Sequence, residues 1–269
     1  MLLNYSTLTM IKILKSISLI INYKTFLVIF IACLSTYFCR QMKWEADFTM
    51  TLVSVAIVFP VVFSISSAYQ RRENALKQLA MLRSNALSFF YSTRDWTDVS
   101  SAPIIDEIKD LQKKLFDNIH NFLTSQEKEA HHYEKPIFEC FSSLSKQVAK
   151  LKNHGLTASE ITRIGQYHNN MMICFNVMKS IYYYRTPIAL RAYYRFFIYI
   201  FAILYGPYFA QMKHSNLLPD YLIYIMPMMY SAILVSLDNI QHHLEKPFDG
   251  VGEDDIQVNV KEYTDLLVD

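Results

Sequence analysis

Glycine is scarce in this chain: five among 269, at Gly155, Gly165, Gly206, Gly250 and Gly252. Average usage is about 7%, and no combination of the five completes G-x-G-x-x-G or G-x-x-x-x-G-K-[ST], so the loops that cradle nucleotide phosphates are missing. The same shortage removes the turn residues that a many-stranded β protein needs. Cysteine is also sparse. Cys33, Cys39, Cys140 and Cys174 show no C-x-x-C spacing and read as reduced, structural thiols. No H-E-x-x-H or G-x-S-x-G occurs. The adjacent pairs His131-His132 and His242-His243 project to different sides of a helix, so neither makes a zinc site, and no enzyme is indicated. A formal net charge of +2 is too small to argue for a nucleic-acid partner.

What the chain has is apolar residues in blocks: 52% of positions are hydrophobic and 19% charged, a balance that fits membrane helices joined to a large aqueous part. Residues 25–39, 48–70, 196–212 and 221–237 carry no charge, and uncharged runs of this length approach or exceed a membrane span. Lys24, Arg40 and Lys43 bracket the first run, and Arg71 and Arg72 close the second. Tyr193, Tyr194, Tyr199, Tyr205, Tyr208, Tyr221 and Tyr224 are placed to form aromatic belts around the last two. Pro60, Pro207 and Pro227 lie inside three of the runs, where a membrane helix tolerates a kink. The expectation is an all-α, multi-pass integral membrane protein with four transmembrane helices in two hairpins.

The rest of the chain follows from periodicity and charge. Residues 1–23 place Ile13, Ile17, Ile20 and Ile21 on one helix face and predict an amphipathic N-terminal helix on the membrane surface; the lysines, serines and lack of acids also fit a mitochondrial-type targeting segment. Residues 24–70 form the first hairpin. Residues 71–186 are polar but periodic, with Ile108, Leu111, Leu115, Ile119 and Phe122 on one amphipathic stretch and Leu144, Val148 and Leu151 on another. Within them, Thr157-Ala158-Ser159-Glu160 fits a capping box opening a helix to about Tyr184. Residues 187–237 form the second hairpin. Residues 238–269 are an acidic tail with nine acids against two lysines, a charge of −7 that leaves +9 on the remainder.

Two constellations are candidates for function. Val55, Phe59 and Phe63 recur at i, i+4 and i+8, an apolar stripe that packs against lipid or core, or that forms stacked rings if it faces a symmetry axis. In the tail, Asp249, Glu253, Asp254 and Asp255 cluster around Gly250 and Gly252; this is either a solvated acidic loop or a set of oxygens for a hard cation such as Ca²⁺.

Three blocks together resemble the bestrophin family of anion channels. Phe63-Ser64-Ile65-Ser66-Ser67-Ala68-Tyr69-Gln70-Arg71 looks like the exit of that family's second membrane helix. Tyr184-Arg185-Thr186-Pro187-Ile188-Ala189-Leu190-Arg191 resembles the entry to its third span. Glu245, followed by Pro247-Phe248 and the acids, is similar to its post-membrane motif. The resemblance implies a homopentamer around a central pore, embedded in lipid, with a helical cytosolic domain over residues 71–186 and chloride as the permeant ion. It further implies a pore neck of Val55, Phe59 and Phe63, an aperture at Thr186, and a calcium clasp at Asp249, Glu253, Asp254 and Asp255. Arg72 and Glu73 stand where the family usually has tryptophans. With the lysine- and serine-bearing N-terminus, they fit an alternative: a non-conducting structural or accessory membrane subunit of a larger organellar complex.

Overall fold

The computed structural model describes residues 20–47, 50–98, 102–185, 187–211, 221–251 and 255–267, so the amphipathic helix expected over residues 1–23 lies almost wholly outside them. The described residues form nine α-helices and no strand. They are α1 (Tyr23–Gln41), α2 (Met50–Asp95), α3 (Ala102–Thr124), α4 (Glu127–Lys150), α5 (Ala158–Tyr183), α6 (Ile188–Leu204), α7 (Gly206–Gln211), α8 (Leu222–Leu244) and α9 (Val260–Thr264). The chain divides into two compact units: Met1–Gln70 with Arg185–Glu245, and Arg71–Tyr184 with Lys246–Asp269.

The first unit packs α1, the first part of α2, α6, α7 and α8 around a core that includes Val28, Ala32, Ile57, Val61, Ile198, Phe201 and Leu234. Helix α1 opens on a capping box: the Asn22 side chain accepts the Lys24 N–H at 3.0 Å, and the Asn22 N–H donates to Thr25 Oγ1 at 3.3 Å. Buried Asn239 on α8 locks this start in place. It accepts from Asn22 Nδ2 at 3.0 Å and donates to the Ile20 carbonyl at 2.6 Å. Helix α1 closes with the Trp44 N–H on the Cys39 carbonyl at 2.9 Å and the Lys43 N–H on the Arg40 carbonyl at 3.3 Å. This closure needs a left-handed residue, and Lys43, at φ 55°, takes that position without being glycine.

Proline chemistry shapes the junction of α6 and α7. Pro207 has no N–H, so the carbonyl of Ile203, four residues earlier, loses its regular helical donor. Ser35 of α1 replaces it, donating its hydroxyl to that carbonyl at 2.7 Å. One residue before the proline, Gly206 lets the helices meet: a Cβ there would run into Ser35 Oγ and lie 3.1 Å from both the Ser35 carbonyl carbon and Cys39 Sγ. A kink that would break a soluble helix is thereby satisfied from a neighbouring helix, as hydrocarbon surroundings require.

Among the described residues, three helical stretches are long and apolar enough to cross a membrane: Tyr23–Gln41, a window within Ala158–Gln211, and Ile223–Leu244. Only 28, 28 and 39% of these windows are buried within the chain, so most of their apolar surface needs lipid or another protein to cover it. This is a membrane protein. The tyrosine belt is only partly realised. Tyr193 and Tyr199 are 43% and 42% exposed, but Tyr194 and Tyr205 are buried, because each finds a hydroxyl partner or an aromatic stack inside the unit.

The second unit is built from α2 beyond Gln70, α3, α4, α5, α9 and the segment leading to it. Thr157 caps α5 as its sequence predicts: its hydroxyl accepts the Glu160 N–H, while Glu160 Oε2 accepts the Thr157 N–H at 2.8 Å. On α3, Ile108, Leu115, Ile119 and Phe122 are all buried, and on α4 Leu144 and Val148 join them. The last described segment straps down onto this core. Tyr263 stacks on Phe116 with ring centroids 3.8 Å apart and donates to Gln112 Oε1 at 3.0 Å, while Gln112 Nε2 donates to the Ala86 carbonyl at 2.9 Å. Burial pushes the Tyr263 phenol well above its ordinary range, keeping it a neutral donor.

Candidate functional site

Helix α2 has two faces of opposite fate. Ile57, Val61, Ser64 and Ala68 are wholly buried, whereas Val55, Phe59, Val62 and Phe63 are 48, 58, 51 and 64% exposed. At about 100° per residue the two sets lie on opposite sides of the helix. Both are largely apolar, so polarity does not distinguish the exposed side from the buried one. The three residues singled out from sequence, Val55, Phe59 and Phe63, all fall on it and climb about 12 Å of helix axis at 1.5 Å per residue. The rings of Phe59 and Phe63 are 6.0 Å apart and tilted by 39°, so they form a continuous aromatic surface. Thr186 lies outside the described residues.

The acidic loop is closed by the Ile256 N–H on the Pro247 carbonyl at 2.8 Å and anchored by buried Phe248. Gly250 turns it through a left-handed φ of 72°. The Val251 N–H is shared by two carboxylates, Asp249 Oδ1 at 3.1 Å and Asp255 Oδ2 at 2.9 Å. Burial, with the hydrogen bond and negative charge of Asp249, pushes the Asp255 carboxyl up to about 7. Glu253 and Asp254 lie outside the described residues. Among the described residues no three His, Cys, Asp or Glu side chains are grouped to hold a metal ion.

A further set of paired residues, not marked by any sequence motif, joins two helices of the first unit. Helices α6 and α8 are stitched by three antiparallel rungs. Arg191 Nη1 donates to Glu245 Oε2 at 2.8 Å, the Tyr194 hydroxyl to Gln241 Oε1 at 2.7 Å, and Arg195 Nε to Asp238 Oδ1 at 2.9 Å. Asp238, Gln241 and Glu245 are 7, 0 and 3% exposed, so of the first two acids of the tail Asp238 is a buried helix residue and Glu245 the buried C-cap of α8. Their signal was the spacing: 238, 241 and 245 share a helix face, and so do 191, 194 and 195, with opposite charge.

No protein-family model matches the chain, and no curated protein sequence does. Solved structures do. A crystal structure described only as a membrane protein superposes with a TM-score of 0.77 at 14% identity, covering 91% of this chain and 98% of its own. A mutant of a bacterial bestrophin homologue from Klebsiella pneumoniae gives 0.75 at 14% identity, covering 90% and 94%. Another structure of a bestrophin homologue from that organism gives 0.72 at 15%, again covering 90% and 94%. Matched over nearly its whole length by these structures, the chain has a bestrophin-like fold.

Proposed function

We propose that the chain is one subunit of a bestrophin-like anion channel: a homopentamer whose copies of α2 surround a central pore and conduct chloride passively. The observation that carries this reading is the exposed apolar face of α2. It sits opposite a fully buried face and presents Val55, Phe59 and Phe63 in succession, on a fold like that of the bestrophin homologues. A face of this kind, closed around an axis by symmetry, makes stacked apolar rings whose dewetting gates ion flow. Phenyl edges carry partial positive charge, so rings turned edge-on tolerate a weakly hydrated anion without trapping it as a fixed cation would. In this arrangement α1, the first part of α2, α6 with α7, and α8 are four spans, and residues 71–186 form a cytosolic vestibule entered through an aperture at Thr186.

Calcium is the finer part of the proposal. Asp249 and Asp255 already converge on one backbone N–H and, with Glu253 and Asp254, would supply the carboxylate oxygens of a hard cation. Isothermal calcium titration tests it: binding that Asp255→Ala abolishes supports the clasp, and no binding at millimolar calcium removes it.

The channel itself is tested by the mass of the purified particle in detergent together with its currents in planar bilayers. A pentamer with anion-selective current supports the proposal. A monomer or hetero-oligomer without current favours the alternative, a structural or accessory membrane subunit.

A further inference from the structure

The exposed face of α2 continues beyond Phe63, and its chemistry changes there. With Val55 as origin and about 100° per residue, Ser66 falls near +20° and Gln70 near +60°, within the same face of about 120° that holds Phe59 and Phe63. Both side chains are exposed, while Ser64 and Ala68 on the opposite side are wholly buried. Tyr69, 53% exposed, borders the same face. From Val55 to Phe63 the face offers only aliphatic and phenyl groups; from Ser66 to Gln70 it offers a hydroxyl, a phenol and a carboxamide. No ionised side chain interrupts it as far as Gln70; Glu73, about 4.5 Å further on at the angle of Val55 and paired with Arg72, is the first. At 1.5 Å of rise per residue, Ser66 lies about 4.5 Å and Gln70 about 10 Å past Phe63.

The geometry points to Ser66 and Gln70 as two rings of neutral hydrogen-bond donors that take up the anion as it leaves the apolar constriction and set which anions pass. This rests on the reading of α2 as the pore helix. An ion crossing the phenyl rings has shed part of its hydration, and the first groups able to replace it are the Ser66 O–H and the Gln70 amide N–H. Neutral donors restore ligands without the deep well of a lysine or arginine, so the ion is stabilised and still released. A small, strongly hydrated anion recovers more from these donors than a large, weakly hydrated one. The rings therefore favour chloride relative to an anion such as thiocyanate.

The test uses the full-length protein in planar bilayers, with chloride-to-thiocyanate permeability ratios taken from bi-ionic reversal potentials. Ser66→Ala and Gln70→Leu are expected to shift the ratio toward thiocyanate by about two- to tenfold, the worth of one ordinary hydrogen bond. Gln70→Glu keeps the shape and replaces donors with a charge, so it is expected to reduce chloride permeability relative to sodium. Elution at the wild-type volume confirms assembly of each variant. Ratios unchanged in all three, with Phe59→Ala still altering the conductance, overturn the donor rings and leave the channel reading intact. Wild-type protein that carries no anion current overturns both.

Discussion

Removing the Ser35 hydroxyl tests the packing logic of the membrane unit, because Ser35 supplies the hydrogen bond that Pro207 cannot. In Ser35→Ala the Ile203 carbonyl keeps only the N–H of the C-cap Tyr205, which it shares with the Phe201 carbonyl, and Ile203 is 59% exposed on an apolar helix, so the medium offers it no water. An unsatisfied buried carbonyl costs roughly 1–3 kcal/mol, and side-chain hydrogen bonds measured between membrane helices average about 0.6 with a maximum near 1.7. We therefore expect a loss of about 1–1.5 kcal/mol. Pro207→Ala restores an N–H at position 207, so in that background Ser35→Ala should cost no more than about 0.5 kcal/mol, giving a coupling near 1 kcal/mol in a double-mutant cycle. Reversible unfolding in bicelles measures all four proteins. Equal costs of Ser35→Ala in both backgrounds would refute the idea that Ser35 answers the proline, and would leave its hydroxyl as ordinary packing.

Other substitutions probe separate parts of the fold. Arg195→Leu leaves Asp238 without its cationic partner, and because the Arg195 side chain is 33% exposed the loss should fall below that of a fully buried pair, at about 1–3 kcal/mol, read in the same unfolding assay; a cost below about 1 kcal/mol would mean that the rung is not satisfied in the folded protein. Lys43→Gly relieves the left-handed backbone at the end of α1 and should stabilise by about 0.5–1 kcal/mol. Tyr263→Phe keeps the stack on Phe116 but strands Gln112 Oε1, at about 1–3 kcal/mol. Tyr263→Ala also empties the core and should cost more, about 3–5 kcal/mol. Limited proteolysis of the C-terminal segment should rank the two in that order.

The helices of the second unit were readable because each carries its own signal: the Thr157–Glu160 box fixes where α5 begins, and the Ile108–Leu115–Ile119–Phe122 spacing fixes which side of α3 is buried. The membrane unit yields less to sequence. Ile57 and Val61 are buried while Val55 and Phe59 are exposed, yet all four are apolar, so composition cannot orient α2 where lipid, pore and core accept the same side chains. Asp238 and Glu245 open the acidic tail by sequence order, since charge along a chain does not reveal its partners. Only the opposed register of Arg191 and Arg195 pairs these acids with the facing helix. Tyr194 and Tyr205 misled in the same way, since an amphipathic ring suits a bilayer surface and a buried hydrogen bond equally well.

Whether the exposed stripe of α2 lines an anion pore is decided by single-channel recording of the purified wild-type protein against Phe59→Ala/Phe63→Ala in planar bilayers with chloride. A pore-lining stripe gives an anion-selective wild-type current and a clear change in conductance or gating when the two rings are removed. Wild-type and variant currents that are indistinguishable, or a correctly assembled particle that passes no anion, would contradict it.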